Sequence, residues 1–247
     1  MEYVPEFLSR KHSGALQVID MEERRKPVSG DDSSSNNAFR PEKDFECEDG
    51  CGCRFKGKDA FISHIEGMDH YFCCSDCADG YQRRISSETE KVMRAHVHEG
   101  YTIADIGCGN GNYTSLLSEL VGTGGIVYAT DLNPEMTGKT LANLGVASRK
   151  RVRMHTSAAH DLSFIESGTV DFVLCNNVLC CTNRRDLVVR EIGRILRPGG
   201  LAYIRVSRIS VEGVSQITDA EWGQLFSSFA HIEYGSDVGL RWAILSA

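Results

Sequence analysis

Three glycines and two aspartates near the middle of the chain have the types and spacing to hold a nucleotide-like ligand. Gly107, Gly109 and Gly111 follow a short apolar run typical of a covered parallel strand, and they precede leucines at helical spacing. Glycines remove the Cβ atoms that would block a ligand or forbid a positive φ, and a helix start offers unpaired N–H groups. Asp105 precedes this turn. Asp131 ends a second strand-like run twenty residues past Gly111, where a carboxylate can accept hydrogen bonds from ribose hydroxyls.

The spacing of the glycines favours one class of ligand over another. Dinucleotides prefer G-x-G-x-x-G, with a pyrophosphate on the helix N-terminus. Here the third glycine comes one residue early and Asp105 precedes the turn. The pattern therefore favours a ligand that carries an ammonium group. The alternative, an ordinary glycine-rich turn without a ligand, is disfavoured by the position of Asp131.

Four ordered segments within residues 86–247 resemble the signatures of class I S-adenosylmethionine-dependent methyltransferases. They read D-I-G-C-G-N-G, Y-A-T-D-L-N-P, V-D-F-V-L-C-N-N-V-L and L-R-P-G-G-L. The resemblance implies an enzyme with S-adenosylmethionine as cofactor. It places Asp105 opposite the methionine amino group and Asp131 at the ribose. Gly107 and Gly109 would admit the backbone of the ligand.

The other cofactor contacts implied by the resemblance lie near the ends of neighbouring strands. Leu132 would flank the adenine. An alanine stands where the family often places an acid for the adenine amine, so the backbone of Ala159, or a shift that uses Asp161, would substitute. Cys108 in the glycine turn and Asn176 after the fourth strand complete the expected cofactor set.

The C-terminal half alternates between strand-like and helix-like segments. Strands are predicted near 152–155, 170–176 and 201–206, and a helix is predicted over 185–196, ended by Pro198-Gly199-Gly200. Residues 232–245 predict two strands joined around Gly235 to Gly239. Together with the resemblance, this pattern predicts an α/β fold: a Rossmann-like seven-stranded methyltransferase sheet with a small N-terminal metal-binding module.

Six of the ten cysteines fall between residues 47 and 77. The spacing Cys53-x19-Cys73-x3-Cys77 resembles the small zinc-binding modules of the TRASH and YHS type, with Cys47 and Cys51 as candidates for the fourth position. Zinc takes four soft or borderline ligands in a tetrahedron. A segment this short cannot bury enough apolar surface to fold without a metal or cross-links. Zinc is therefore the second expected cofactor.

Alternatives to this zinc site stay open at the level of the sequence. A disulfide-stapled loop is disfavoured in a cytosolic protein, and free reduced cysteines are disfavoured by the crowding. Cys74 is expected to point away from the metal. His64 and His70 are possible ligands, but a surface position is the preferred interpretation for each.

Length and charge agree with a catalytic domain and an appended module. We expect a mobile N-terminal segment and linker over 1–42, the cysteine-rich module over 43–85, and the methyltransferase domain over 86–247. The net charge of −7 disfavours a nucleic-acid partner. The chain has no run of eighteen apolar residues and no charged leader before an apolar stretch, so no membrane is expected and a cytoplasmic location is predicted.

The methyl acceptor is expected to contact the segment 175–181, which follows the fourth strand. This segment lacks the N-P-P-Y-like turn of enzymes that methylate DNA or protein amides and resembles small-molecule methyltransferases of ubiquinone and menaquinone biosynthesis. A small-molecule acceptor is therefore preferred. A protein or RNA acceptor recognised through the zinc module, and a metal-responsive scaffold without catalysis, remain alternatives.

Cys180 and Cys181 suggest a sharper hypothesis for the acceptor. Thiolates bind arsenic(III) and heavy metals tightly, which would suit an arsenic or heavy-metal methyltransferase. The alternative is that both cysteines pack as small apolar residues. Methyl transfer from a sulfonium needs little acid–base help, so no catalytic residue is assigned. If a base is required, His160, His155 and His96 are the candidates.

Overall fold

The computed structural model describes residues 42, 44–49, 51–65, 68–207, 213–237 and 240–247. All of them belong to one compact unit, Asn37–Ala247. The mobile segment predicted over 1–42 lies, except for Glu42, outside the described residues.

The cysteine-rich segment folds into two short antiparallel hairpins that lead into a long helix. β1 (Asp44–Glu46) pairs with β2 (Arg54–Lys56), and β3 (Phe61–Ile65) pairs with β4 (Met68–Phe72). The helix α1 (Ser75–His96) follows. It runs across the boundary predicted between residues 85 and 86, because its apolar side chains pack into both parts of the chain: Tyr81 joins the cluster around the hairpins and Met93 joins the core of the large sheet.

The rest of the chain forms a seven-stranded sheet in the order β10-β11-β9-β8-β5-β6-β7. The strands are β5 (Thr102–Ile106), β6 (Ile126–Asp131), β7 (Val152–Thr156), β8 (Val170–Asn176), β9 (Leu196–Ser207), β10 (His231–Asp237) and β11 (Leu240–Ser246). β5 to β9 pair in parallel, and β11 pairs antiparallel with β9 and β10. Since β5 lies between β6 and β8, the order of the strands reverses there, and ligands of such sheets bind at the carboxyl ends of the strands at this point.

Among the described residues, five helices connect these strands. They are α2 (Asn112–Leu120), α3 (Pro134–Asn143), α4 (Val146–Arg149), α5 (Arg185–Ile195) and α6 (Asp219–Leu225). Side chains alternate along β5, so Ile103 belongs to one buried cluster, whereas Ala104 and Ile106 belong to the other. Both faces of the sheet are covered, as the apolar run in β5 predicts.

The predicted fold class is confirmed, with two corrections to individual elements. Pro198-Gly199-Gly200 does not separate α5 from the next strand but lies inside β9, which begins at Leu196. A glycine is needed at 200 because a Cβ there would lie 2.8 Å from the carbonyl oxygen of Val170. Gly235 lies inside β10 rather than in the loop. It stands opposite Trp242, whose ring occupies the space where a Cβ would be.

Candidate cofactor and metal sites

Asp105 is a buried carboxylate near the end of the central strand β5. Its residue is 2% exposed, and Oγ1 of Thr114 in α2 donates a 2.6 Å hydrogen bond to its Oδ2. Burial raises the pKa of Asp105 to about 6, and the charge of Asp131 acts in the same direction, whereas the bond from Thr114 lowers it. Within the described part of the chain, no cationic side chain forms an ion pair with Asp105. A buried carboxylate without a cation is suited to a ligand that brings one.

The glycine turn follows directly, and each glycine has a different reason to be there. Gly107 has φ +75°, and a Cβ on it would lie 2.4 Å from Cγ2 of Val178. Gly109 has φ +55°, but a Cβ there would meet nothing within 4 Å. The turn is thus packed at Gly107 and open at Gly109. The open side can admit a ligand close to the backbone.

Gly111 is a residue of this turn that the expected cofactor set does not include. It has φ +86° and precedes α2, and a Cβ on it would lie 2.7 Å from Cγ2 of Thr140. Oγ1 of Thr140 donates a 2.7 Å hydrogen bond to the carbonyl of Gly109 and lies 3.7 Å from Sγ of Cys108. Cys108 is buried, and its backbone N–H donates to the carbonyl of Thr130. Cys108 therefore contributes to the turn from its inner side.

Asp131 stands at the carboxyl end of β6 beside the glycine turn. Its Oδ2 accepts a 3.0 Å hydrogen bond from the backbone N–H of Gly109, and its Oδ1 accepts a 2.9 Å bond from that of Asn133. The next residue, Leu132, is 73% exposed. A fixed carboxylate followed by an exposed apolar side chain can bind the hydroxyls and the flat base of a nucleoside.

The segment after β7 lies next to Asp131, because the backbone N–H of Ser157 donates to the carbonyl of Asp131. Ala159 is half-buried and packs against the core. The N–H of Asp161 donates to the carbonyl of Ala158, which closes a tight turn, and hydrogen bonds from Ser163 lower the pKa of Asp161. Both alternatives for the adenine contact, Ala159 and Asp161, therefore lie in one turn beside Asp131.

The carboxyl end of β8 is held by side chains of β9. Oδ1 of Asn176 accepts a 2.9 Å hydrogen bond from Nε of Arg205. The next residue, Asn177, has φ +56°, which is uncommon for a residue with a side chain. Its Oδ1 accepts bonds from both the N–H and the hydroxyl of Ser207. None of these side-chain pairs is visible in the sequence pattern, because the partners lie about thirty residues apart.

The two adjacent cysteines lie in a single 3-10 turn, Leu179–Cys181. Cys180 is buried in the core, whereas Cys181 is exposed. Their sulfurs are 3.8 Å apart, and the thiol of Cys181 donates to the carbonyl of Asn177. The hydrogen bond from Cys180 lowers the pKa of Cys181, while burial and the same bond raise the pKa of Cys180. The interpretation that both cysteines pack as apolar residues is thus wrong for Cys181.

The histidines considered as bases have other contacts. Nε2 of His160 lies 3.0 Å from Nη1 of Arg184. Since a guanidinium can only donate, Nε2 of His160 must accept this bond. The ring of His155 stacks on Phe164 with centroids 3.8 Å apart, and burial lowers its pKa. Burial also lowers the pKa of His96, which ends α1.

Four cysteine sulfurs converge where the loop of the first hairpin meets the start of α1. The Sγ atoms of Cys47, Cys51, Cys73 and Cys77 all lie within 4.8 Å of one another. The pairs Cys51–Cys73 and Cys73–Cys77 are each 3.6 Å apart. A disulfide needs about 2.05 Å. Zinc–sulfur bonds of about 2.3 Å in a tetrahedron place the sulfurs about 3.8 Å apart, so the donor set fits zinc.

The structure leaves two cysteines outside this group of four. Cys53 is exposed, and its backbone carbonyl accepts a 2.9 Å hydrogen bond from the N–H of Cys47. Cys74 is exposed and precedes α1, with its sulfur 3.9 Å from that of Cys73. Sequence spacing alone could not separate Cys53 from its neighbours, because the choice depends on how the first hairpin closes.

The two histidines of the module occupy opposite environments. His64 is exposed beside Asp69, as expected. The surface position expected for His70 is wrong: its side chain is fully buried, and its Nδ1 lies 2.8 Å from a carboxylate oxygen of Glu48. The other oxygen of Glu48 accepts a 2.7 Å bond from the N–H of Tyr71. This carboxylate therefore connects the segment of Cys47 to the strand that precedes Cys73.

The sheet order and the position of the glycine turn define a Rossmann-like methyltransferase fold. Residues 104–204 match the family described as a methyltransferase domain. A solved S-adenosylmethionine-dependent methyltransferase from Aquifex aeolicus superposes with a TM-score of 0.52 at 24% identity, covering 63% of this chain and 87% of that chain. The sheet therefore has the fold of S-adenosylmethionine-dependent methyltransferases, and residues 104–204 are similar to a methyltransferase domain.

Two curated relatives each match less than half of the chain. An arsenite methyltransferase from Aquipseudomonas alcaligenes is 31% identical over 111 residues, which is 42% of this chain and 32% of the relative. A demethylmenaquinone methyltransferase from Lactococcus lactis is 36% identical over 101 residues, which is 41% of this chain and 40% of the relative. The chain thus spans less than half the length of these relatives. In the described ranges, no helix has the length and apolar character needed to cross a membrane.

Proposed function

We propose that this chain transfers a methyl group from S-adenosylmethionine to a small-molecule acceptor. The observation that carries the proposal is the buried Asp105, which lies beneath the open glycine turn and has no cationic partner among the described residues. The amino group of the methionine moiety would supply that cation. The named relatives act on arsenite and demethylmenaquinone, which supports a small acceptor.

The remaining contacts follow from the site. The open face of Gly109 would lie against the ligand, and Asp131 would accept hydrogen bonds from the ribose hydroxyls. Leu132 would flank the adenine, and the backbone of Ala159, or Asp161 in the same turn, would meet the adenine amine. Cys108 would support the turn from beneath, and Asn176 would contact the ligand at the end of β8. The cofactor, when bound, supplies a methyl group on a positively charged sulfur.

The role of the protein in such a transfer is mainly positioning, because the leaving group departs as a neutral thioether. The bond from Arg184 to His160 and the stacking of His155 fit an acceptor that needs no protein base. The test is transfer of radiolabelled methyl from S-adenosylmethionine to a panel of arsenite, a naphthoquinol and a thiol. Labelled small-molecule product supports the proposal. Label found only in added protein or RNA favours a macromolecular acceptor, and weak or absent binding of S-adenosylmethionine favours a scaffold.

Metalloid methylation is a second candidate, which the exposed thiol of Cys181 favours. A thiolate beside the transferred methyl would bind arsenic(III), and the pKa of this thiol is lowered by its neighbour Cys180. The experiment compares arsenite binding and turnover in the wild type and in the double variant Cys180→Ser/Cys181→Ser. If both quantities were unchanged, this candidate would be abandoned. The single variant Cys74→Ser is the matched control for loss of an exposed thiol elsewhere.

We also propose that Cys47, Cys51, Cys73 and Cys77 bind one zinc ion, which makes residues 43–85 a metal-supported module next to the catalytic domain of 86–247. The support is the convergence of their four sulfurs. Metal analysis of Cys47→Ser and Cys53→Ser tests this assignment. One zinc per chain should survive the change at Cys53 and be lost with the change at Cys47. Equal loss in both variants would contradict the assignment.

A further inference from the structure

Arg185, the first residue of α5, is a buried cation that the proposed function does not use. The residue is 3% exposed. Its Nε donates a 2.8 Å hydrogen bond to the carbonyl of Leu179, and its Nη1 donates to Oε1 of Glu221 at 2.9 Å and to Oγ of Ser215 at 3.1 Å. Nη2 donates to the carbonyl of Ser215. The guanidinium of Arg185 therefore joins two separate pieces of chain, one at Leu179 and one that holds Ser215 and Glu221.

These pieces lie on the acceptor side of the proposed site. Leu179 begins the 3-10 turn that carries the exposed Cys181, and Ser215 and Glu221 belong to the segment 213–225 that follows β9. The turn itself starts beside Val178, whose Cγ2 fills the space next to Gly107. The network of Arg185 thus reaches from the segment after β9 to the wall of the glycine turn.

Asn183 makes a second connection between the same two segments. Its Oδ1 accepts a 3.0 Å hydrogen bond from the backbone N–H of Ser215, and its Nδ2 donates a 2.9 Å bond to the carbonyl of Gly213. Unlike Arg185, Asn183 is exposed. The 3-10 turn is therefore fixed to the segment 213–225 from both the buried and the exposed side.

Fold stability alone is a poor reason for such an arrangement. Burial costs the guanidinium of Arg185 its hydration, whereas the side chain of Glu221 stays 36% exposed, and well-packed apolar side chains in place of a buried charge often give equal or greater stability. What a guanidinium adds is geometry, since its planar set of donors fixes several acceptors at once. The bonds of Arg185 fix carbonyls of two segments whose relative position defines one side of the proposed acceptor site.

We infer that Arg185 is a positioning residue for the acceptor side of the site. It holds the turn of Cys181 against the segment 213–225 and thereby sets the space open to the acceptor, while the cofactor contacts at Asp105 and Asp131 do not depend on it. This inference rests on the proposed function, because the acceptor side is defined by the proposed methyl transfer. Its structural content, a turn held in place by Arg185, can be measured without any acceptor.

The experiment compares Arg185→Lys and Asn183→Ala with the wild type. Lysine keeps the charge opposite Glu221 but cannot make all the bonds of a guanidinium, and the exposed Asn183 can be changed without leaving a cavity. The control is Arg190→Met in the same helix, whose exposed side chain pairs loosely with Asp186 at 3.8 Å. The first readout is the rate at which N-ethylmaleimide labels Cys181, followed by mass spectrometry with the other cysteines as internal references.

We expect Cys181 to be labelled several-fold faster in Arg185→Lys and Asn183→Ala than in the wild type and in the control. The affinity for S-adenosylmethionine should stay within twofold in all four proteins. With arsenite as the probe acceptor, KM should rise more than kcat falls. Unchanged labelling of Cys181 in both variants would overturn the inference, as would a parallel loss of cofactor affinity. Absence of cofactor binding in the wild type would instead refute the proposed function.

Discussion

The backbone N–H of Gly109 donates a 3.0 Å hydrogen bond to Oδ2 of Asp131, so the open point of the glycine turn and the end of the neighbouring strand hold each other in place. Asn133 donates to the second oxygen of the same carboxylate. Asp131 is therefore oriented before any ligand arrives. Such preorganisation reduces the ordering needed on binding.

Replacing Asp131 by alanine is expected to weaken binding of S-adenosylmethionine at least tenfold. The change removes the carboxylate proposed to accept the ribose hydroxyls and also frees the N–H of Gly109. A hydrogen bond to a charged group contributes about 1.5–3 kcal/mol. Calorimetric titration measures the affinity, and Glu135→Ala, at an exposed carboxylate four residues along, is the control. If Asp131→Ala and the wild type bound S-adenosylmethionine with equal affinity, Asp131 would not be a cofactor-binding residue.

Asp105→Asn is expected to abolish cofactor binding and yet to stabilise the ligand-free protein above pH 6. The folded protein holds a proton on Asp105 up to a pKa of about 6, whereas an unfolded chain releases it near 3.8. Between these values the folded state binds more protons, so the free energy of unfolding falls as pH rises. An asparagine at position 105 has no proton to release, so the variant does not lose stability as the pH rises. Its side-chain oxygen can still accept the hydrogen bond from Thr114.

The expected gain for Asp105→Asn above pH 6 is at most about 3 kcal/mol, which is the full value of a pKa shift from 3.8 to about 6. Urea unfolding at pH 5 and pH 7.5 measures it. The difference between variant and wild type should be larger at pH 7.5. A variant less stable than the wild type at both pH values would contradict the account of this carboxylate.

Binding of S-adenosylmethionine should weaken as the pH falls below about 6. In this range the free protein carries a proton on Asp105, and the proposed contact with an ammonium group requires its release. Affinity is expected to fall by up to tenfold per pH unit. At pH 6, titrations in buffers of different ionisation enthalpy should show proton release on binding. An affinity independent of pH between 5 and 7.5 would show that Asp105 does not meet the cation.

Gly107→Ala should disrupt the turn through packing, whereas Gly109→Ala should act mainly on the ligand. A Cβ at 107 would lie 2.4 Å from Cγ2 of Val178, but one at 109 would meet nothing within 4 Å. Both residues have positive φ, so each change carries a conformational cost as well. Val178→Ala should restore part of the melting temperature lost in Gly107→Ala. No restoration in the double variant would show that the backbone conformation, rather than this contact, determines the cost.

The parts of the molecule that sequence reasoning predicts well are those fixed by local pattern. β8 begins and ends at the predicted residues 170 and 176, and α5 ends within one residue of its predicted limit. Asp131 is the last residue of its strand, as predicted. Such features depend on neighbouring residues, so composition and periodicity are enough to locate them.

The features that escaped prediction depend on residues far apart in the chain. Arg185 forms an ion pair with Glu221, thirty-six residues away, and Arg205 on β9 donates a hydrogen bond to Asn176 on the neighbouring strand β8. His70 can be buried because its Nδ1 forms a hydrogen bond with Glu48, which belongs to a different hairpin. The first of the two C-terminal strands continues past Gly235 to Asp237, because the space for Trp242, rather than a turn, explains this glycine. Tertiary packing decides each of these, and no local pattern signals it.

The most direct test of the central claim is calorimetric titration of the purified protein with S-adenosylmethionine at pH 7.5, alongside Asp105→Asn. We predict one binding site per chain in the wild type and no measurable binding in the variant, with circular dichroism showing that the variant remains folded. No binding by a folded wild-type protein, or equal binding by both proteins, would contradict the account.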